Sequence, residues 1–141
     1  MCSKSTIEIK IRDYLLSKDE ISFAYIFGSF VYEDKYNDID IAVYIKPDYD
    51  FNEQSKYPFG YEADLLGNLS LILSTDKLDL ILLNKANLLA ATQVYNSGTL
   101  LFEKDRFFRI KVENRARKEF IDTENFRKIK ANQLKTYLNV R

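Results

Sequence analysis

Two aspartates one residue apart are the residues of this chain best suited to chemistry. Asp38 and Asp40 stand in DIDIAVYI, which otherwise has the apolar, β-branched composition of a buried strand. Residues i and i+2 of a strand point to the same face, so we expect the two carboxylates to lie side by side. Like charges at that spacing repel each other. A divalent cation between them would make the arrangement favourable.

A third carboxylate, Asp79, lies in KLDLILLN, which has a second apolar strand pattern. Burying an unpaired carboxylate is costly, so we expect Asp79 to join Asp38 and Asp40 if the two strands are neighbours. Magnesium prefers oxygen ligands and commonly uses a few carboxylates with substrate phosphates. The chain has no histidine and one cysteine, Cys2. This composition disfavours zinc and excludes an imidazole base or a Ser-His-Asp triad.

Gly28-Ser29 follows the apolar run ISFAYIF and supplies a candidate phosphate site. A glycine lets the backbone turn and approach a ligand closely. Ser29 would then begin a helix, and helix N-termini bind phosphate. Each feature alone has a simpler interpretation, as a turn, a solvated strand edge or a strand-end aspartate paired with lysine. Their combination, in this order and at strand spacing, favours phosphoryl chemistry beside a metal pair.

Alternating strands and helices predict an α+β fold with α/β-like character, in which helices pack on a small mixed sheet. The predicted helices are 4–18, one or two turns within 30–36, 62–73 and 86–98, and the predicted strands are 21–27, 38–45, 77–84 and 99–103. A long loop at 46–61 holds both prolines. Helical spacing resumes at Arg106. We expect a break near Asp122-Thr123 and a second helical stretch containing Phe126, Ile129, Gln133 and Tyr137.

Length and charge suggest one domain, 1–141, with a core at about 20–104 and a helical C-terminal arm at about 105–141. Residues 1–103 carry 9 Lys/Arg and 16 Asp/Glu, whereas residues 104–141 carry 12 and 5. The basic arm is either a solvated helix face or a docking surface for an acidic partner or nucleic acid. The sequence shows no signal peptide and no apolar run near 20 residues, and Cys2 cannot form an internal disulfide. These features predict a cytoplasmic protein.

The residues Gly28, Ser29, Asp38, Asp40 and Asp79 together resemble the signature of minimal nucleotidyltransferases of the polymerase-beta-like superfamily. The stretch from LDLILLNKANLLAATQVYNSGTLLFEKD to VENRARKEFID is similar to the second half of the MntA-type antitoxins, the partners of HEPN toxins. The resemblance covers roughly residues 20–125.

This resemblance implies a nucleotidyltransferase fold and an antitoxin that transfers AMP from ATP to a tyrosine of a HEPN ribonuclease toxin. It implies that Asp38, Asp40 and Asp79 hold Mg²⁺ and carry catalysis, and that Gly28 and Ser29 bind the ATP phosphates. It also implies a hetero-oligomer with the toxin, with no membrane and no direct nucleic-acid role. Two alternatives stay open: a nucleotidyltransferase acting on a small molecule such as an aminoglycoside, and an antitoxin that only binds.

The chain departs from the family pattern just after Gly28-Ser29. Eight residues separate Ser29 from Asp38, fewer than is usual in the family. Small and glycine residues often follow Gly-Ser in the family, whereas Phe30-Val31-Tyr32-Glu33 stands here. We therefore expect these bulky side chains to narrow the phosphate turn.

Overall fold

A four-stranded mixed sheet forms the centre of the molecule. The structure is a computed structural model, and it describes residues 3–139 apart from the side chains of residues 137 and 139. Cys2 and the predicted helix-face position of Tyr137 therefore lie outside the described part. Within residues 3–139, no helix is both long and apolar enough to cross a membrane.

The elements follow one another as strands alternating with helices. The strands are β1 (Ile21–Phe27), β2 (Ile39–Ile45), β3 (Leu78–Leu82) and β4 (Thr99–Glu103). The helices are α1 (Lys4–Leu16), α2 (Ser29–Tyr32), α3 (Tyr61–Leu73), α4 (Leu88–Ser97) and α5 (Arg106–Asn139). The predicted α+β class is confirmed, and the bounds of β1 and β4 match the prediction.

The strands lie in the order β3-β2-β1-β4. β1 runs antiparallel to both β2 and β4, and β2 runs parallel to β3. This topology makes β3 and β4 the two edges and puts β2, the strand of Asp40, beside β3, the strand of Asp79. The neighbouring strands on which the predicted carboxylate group depends are therefore present.

The two faces of the sheet differ in what covers them. One face carries Ile39, Ile41, Val43 and Ile45 of β2, all buried in the core with α1 and α3. The opposite face carries a second apolar cluster, to which α4 and α5 contribute. Asp40 shares this second face with Ala42, because side chains alternate along a strand.

α5 is one continuous helix of 34 residues, so the break predicted near Asp122-Thr123 is wrong. Asp and Thr favour turns because their side chains compete for backbone groups. Here the Thr123 hydroxyl donates to the carbonyl of Glu119, one turn earlier in the same helix, at 2.8 Å. The hydroxyl is thus satisfied without interrupting the helix.

A buried carboxylate, Glu113, attaches α5 to the sheet. Glu113 is only 7% exposed and accepts a hydrogen bond from the hydroxyl of Tyr25 on β1. The guanidinium of Arg109 donates to Glu113 Oε1 at 2.8 Å, and that of Arg117 lies 3.4 Å from Oε2. Because a buried charge needs such partners, these contacts fix the position of α5 over the sheet.

Candidate active site

Asp40 and Asp79 lie directly beside each other on neighbouring strands. They are paired residues of the parallel β2–β3 ladder, whose strands lie about 4.8 Å apart. Phe27, the last residue of β1, is the antiparallel partner of Asp40. The row formed by Phe27, Asp40 and Asp79 thus lies at the end of the sheet next to Gly28.

Asp38 lies one residue before β2 rather than on it, and its side chain is exposed. The negative charge of Asp38 nevertheless affects the Asp40 carboxylate, as the charge of Asp79 does. Burial raises the pKa of the Asp40 carboxyl above its ordinary value, and the charges of Asp79 and then Asp38 raise it further. The three carboxylates therefore share one electrostatic site, with Asp40 at its centre.

Asp79 is not the buried charge that its apolar surroundings predict, because its side chain is exposed. β3 is an edge strand, and the face at this end of it is open. The Asp79 Oδ1 atom accepts a hydrogen bond from the amide of Leu80 at 2.9 Å. Asp79 therefore lies beside Asp40 with little loss of hydration, and a carboxylate oxygen stays accessible.

Gly28 makes the turn above Asp40 in a conformation that only glycine tolerates well. Its φ of 78° and ψ of −158° fall in a region that is strained for residues with a Cβ. A Cβ built on Gly28 would lie 2.2 Å from Asp40 Oδ2, far inside van der Waals contact. Gly28 is therefore required both by the backbone turn and by the carboxylate that lies against it.

Ser29 begins α2, as predicted, although this helix has a single turn. The amide of Val31 donates to the carbonyl of Gly28 at 3.1 Å, and that of Glu33 donates to Ser29 at 2.8 Å. The first N–H groups of a helix have no acceptor inside it. Apart from the Val31 amide, which already donates to Gly28, such groups can bind an anion.

The expected narrowing of the turn by the bulky residues after Ser29 stays a prediction, and the structure shows where two of these residues lie. Phe30 is fully buried in the core under α1 and packs edge-on against Tyr36, with ring centroids 4.7 Å apart. Tyr32 is 67% exposed, and its hydroxyl donates to the carbonyl of Ser97 at the end of α4. This second contact is a feature of the site that the sequence pattern did not indicate.

The carboxylates of the site could supply some, but not all, of the ligands of a hard cation such as Mg²⁺. Within residues 3–139, no group of three or more acidic, histidine or cysteine side chains could by itself hold a metal ion. Asp38, Asp40 and Asp79 do not form a complete cage, although they concentrate negative charge. Mg²⁺ usually takes one or two carboxylates and completes its shell with water and substrate phosphates, so an incomplete carboxylate set fits Mg²⁺ brought with a nucleotide.

A family model described as polymerase beta, nucleotidyltransferase, matches residues 9–107. The chain belongs to this nucleotidyltransferase family. The matched region contains the Gly28-Ser29 turn and all three aspartates, which confirms the predicted family. No curated protein matches the chain.

Solved structures share the fold over nearly the whole chain. A chain from the tri-AMPylated Shewanella oneidensis HEPN toxin in complex with MNT antitoxin has a TM-score of 0.69 and 21% identity, covering 94% of this chain and 98% of that one. A chain from a toxin-antitoxin crystal structure with AMP-PNP has a TM-score of 0.69 and 21% identity, with coverage of 90% and 97%. A chain from the MntA-HepT toxin-antitoxin has a TM-score of 0.66 and 21% identity, with coverage of 92% and 97%.

Proposed function

We propose that this nucleotidyltransferase is an antitoxin that transfers AMP from ATP to a tyrosine hydroxyl of a cognate HEPN toxin. The observation that carries the proposal is the pairing of Asp40 with Asp79 beneath the Gly28 turn, in a chain of this family. The likeness to the AMPylated toxin–antitoxin complex and to the AMP-PNP complex supports ATP as the donor and a HEPN toxin as the acceptor.

The reaction is a displacement at the α-phosphorus of ATP. The tyrosine oxygen forms a bond to this phosphorus, the bond to the bridging oxygen of the β-phosphate breaks, and pyrophosphate leaves. The phenolic proton must pass to a base, and Asp79 is our candidate because its carboxylate is accessible beside Asp40. Such transfers depend mainly on positioning the reactants and on neutralising charge.

Gly28, Ser29 and the three aspartates have distinct roles in this scheme. Gly28 and the first amides of α2 would bind the phosphates of ATP, with the Ser29 hydroxyl as a further donor. Asp38, Asp40 and Asp79 would hold Mg²⁺, which would neutralise charge on the phosphates and the attacking oxygen. Burial, and then the repulsion from Asp79 and Asp38, raise the pKa of Asp40, and a bound cation would offset that repulsion. We also propose that the chain is located in the cytoplasm, because ATP and the targets of a ribonuclease are found there.

Intact-mass measurement tests the proposal. The wild-type chain, incubated with ATP, Mg²⁺ and the co-purified HEPN protein, should raise the mass of that protein in steps of one AMP. Asp38→Ala or Asp40→Ala should abolish the mass gain while leaving circular dichroism unchanged. Transfer at the wild-type rate by either variant would refute the site.

An aminoglycoside offered as a second acceptor, together with a growth-rescue assay, separates the two alternatives. A small-molecule nucleotidyltransferase would adenylate an aminoglycoside and leave the HEPN protein unmodified. A binding-only antitoxin would neutralise the toxin equally well with Asp40→Ala. The exposed apolar side chains near the end of α5, such as Phe126, Ile129 and Leu134, are suited to a contact of that kind. Growth rescue by Asp40→Ala at the wild-type level would favour binding alone.

A further inference from the structure

The C-terminal end of α4 lies between the phosphate turn and α5, and both sides bond to it. From the turn, the hydroxyl of Tyr32 donates to the carbonyl of Ser97. From α5, the guanidinium of Arg117 donates to the carbonyl of Tyr95 at 3.1 Å and to the side-chain oxygen of Asn96 at 2.9 Å. Three consecutive residues of α4 are thus held from two directions.

Two of these contacts, to the carbonyls of Tyr95 and Ser97, use backbone groups that a helix end leaves without partners. The last four carbonyls of an α-helix have no intrahelical donor. Gly98 also brings this end of α4 close to the sheet. A Cβ on Gly98 would lie 2.6 Å from the carbonyl oxygen of Val94 and 3.4 Å from that of Ile26. Since Ile26 lies two residues before Gly28, the end of α4 is packed beside the turn itself.

α2 depends on contacts with other elements because so short a helix is not stable alone. It has four residues, and a single helical turn is unstable in isolation. Phe30 fixes its buried side. On the open side, Lys4 donates to the carbonyl of Glu33 and Tyr32 donates to Ser97. The Tyr32 bond connects α2 to α4.

We propose that Tyr32 and Arg117 are positioning residues that together connect α5 to the Gly28-Ser29 turn through the end of α4. Arg117 is itself held by Glu113, the buried carboxylate that attaches α5 to β1. A displacement of α5 therefore changes the support of the turn that faces Asp40. That the turn binds ATP rests on the proposed function, whereas the mechanical connection does not.

Amide hydrogen exchange in the nucleotide-free protein tests the connection directly. Tyr32→Phe deletes only the hydroxyl, so the amides of Val31 and Glu33 should exchange about five- to tenfold faster, as expected for one lost hydrogen bond. Arg117→Lys keeps a charge near Glu113 but loses the forked contacts to α4. It should speed exchange at the same two amides by about threefold, although Arg117 does not touch α2.

Matched controls exist for both changes. Tyr36→Phe removes a hydroxyl near α2 that forms no hydrogen bond within the described residues, and Arg115→Lys alters the exposed guanidinium two residues before Arg117. Both should leave exchange at Val31 and Glu33 unchanged. Unchanged exchange in Tyr32→Phe, or an effect of Arg117→Lys confined to α4 and α5, would overturn the proposal.

Kinetics then measure what the connection does for the reaction. Tyr32→Phe and Arg117→Lys should each raise the KM for ATP about three- to tenfold and change kcat less than twofold, because they loosen phosphate binding away from the reacting atoms. The double variant should raise KM by less than the product of the single effects. A multiplicative double variant would contradict a shared route. A wild-type chain without AMP transfer would refute the proposed function, and the exchange result would still decide the connection.

Discussion

Gly28→Ala is expected to inactivate the enzyme by moving Asp40. The added Cβ would lie 2.2 Å from Asp40 Oδ2, and ordinary contact begins at 3.4 Å, so the carboxylate must move by about 1.2 Å. A displacement of about 1 Å in a catalytic group costs roughly 100-fold in rate. We therefore expect kcat/KM for AMP transfer to fall by about 100-fold or more.

The backbone strain of Gly28→Ala can be separated from its effect on Asp40. Gly60, before α3, has φ 97° and ψ 155°, in the same glycine-specific region as Gly28, but a Cβ there meets nothing within 4 Å. Gly60→Ala should cost about 1–3 kcal/mol of stability through strain alone, which lowers Tm by several degrees. Its AMP transfer below the transition should stay near the wild-type level.

The assay compares the two variants by differential scanning calorimetry and by the rate of pyrophosphate release. Gly28→Ala should be at least as destabilised as Gly60→Ala and should alone lose transfer. If folded Gly28→Ala transferred AMP within threefold of Gly60→Ala, the contact between Gly28 and Asp40 would not matter for catalysis. The assignment of the Gly28 turn to the active site would then be refuted.

Three further variants test the electrostatics and packing of the fold. Because the folded-state pKa of Asp40 is raised, its ionisation destabilises the fold as pH rises from about 4. Asp40→Asn should therefore match the wild type in Tm at acid pH and have a higher Tm at neutral pH. Gly67→Ala, on the exposed face of α3 with nothing within 4 Å of its Cβ, should add about 0.5–1 kcal/mol in urea unfolding and leave transfer unchanged. Glu113→Ala removes the acceptor of the Tyr25 hydroxyl and one of the two carboxylates that Arg109 contacts, the other being Glu103, so unfolding should show a loss of about 3 kcal/mol. Equal stability of Asp40→Asn and wild type at neutral pH, a destabilised Gly67→Ala, or a neutral Glu113→Ala would each contradict the reasoning.

Local patterns were sufficient to locate the strands and the candidate residues. The apolar runs of β1 and β4 are bounded by glycine or charged residues, and their predicted bounds match the structure. The alternation in DIDIAVYI placed Asp40 on the face opposite the Ile residues, where it lies. The stretch does not indicate where β2 begins. The strand starts at Ile39, so Asp38 precedes it.

Properties set by tertiary contacts could not be predicted from such patterns. The pairing of Asp40 with Asp79 depends on the parallel register of β2 and β3, which no local signal specifies. The exposure of Asp79 follows from the edge position of β3, whereas composition alone indicated burial. The Tyr32–Ser97 contact joins residues 65 positions apart, and no local pattern around Tyr32 indicates it. The individual roles of Gly28, Ser29, Asp38, Asp40 and Asp79 in metal and nucleotide binding stay predictions.

The central claim is that the Asp40 site adenylates a HEPN protein, and the mass of that protein tests it most directly. The HEPN protein should be co-expressed with the wild-type chain or with Asp40→Asn, purified, and weighed intact. We predict additions of whole AMP groups, mapped to tyrosine, with the wild-type chain and an unmodified mass with Asp40→Asn. An unmodified HEPN protein in the presence of the wild-type chain, or equal modification with both, would contradict the account.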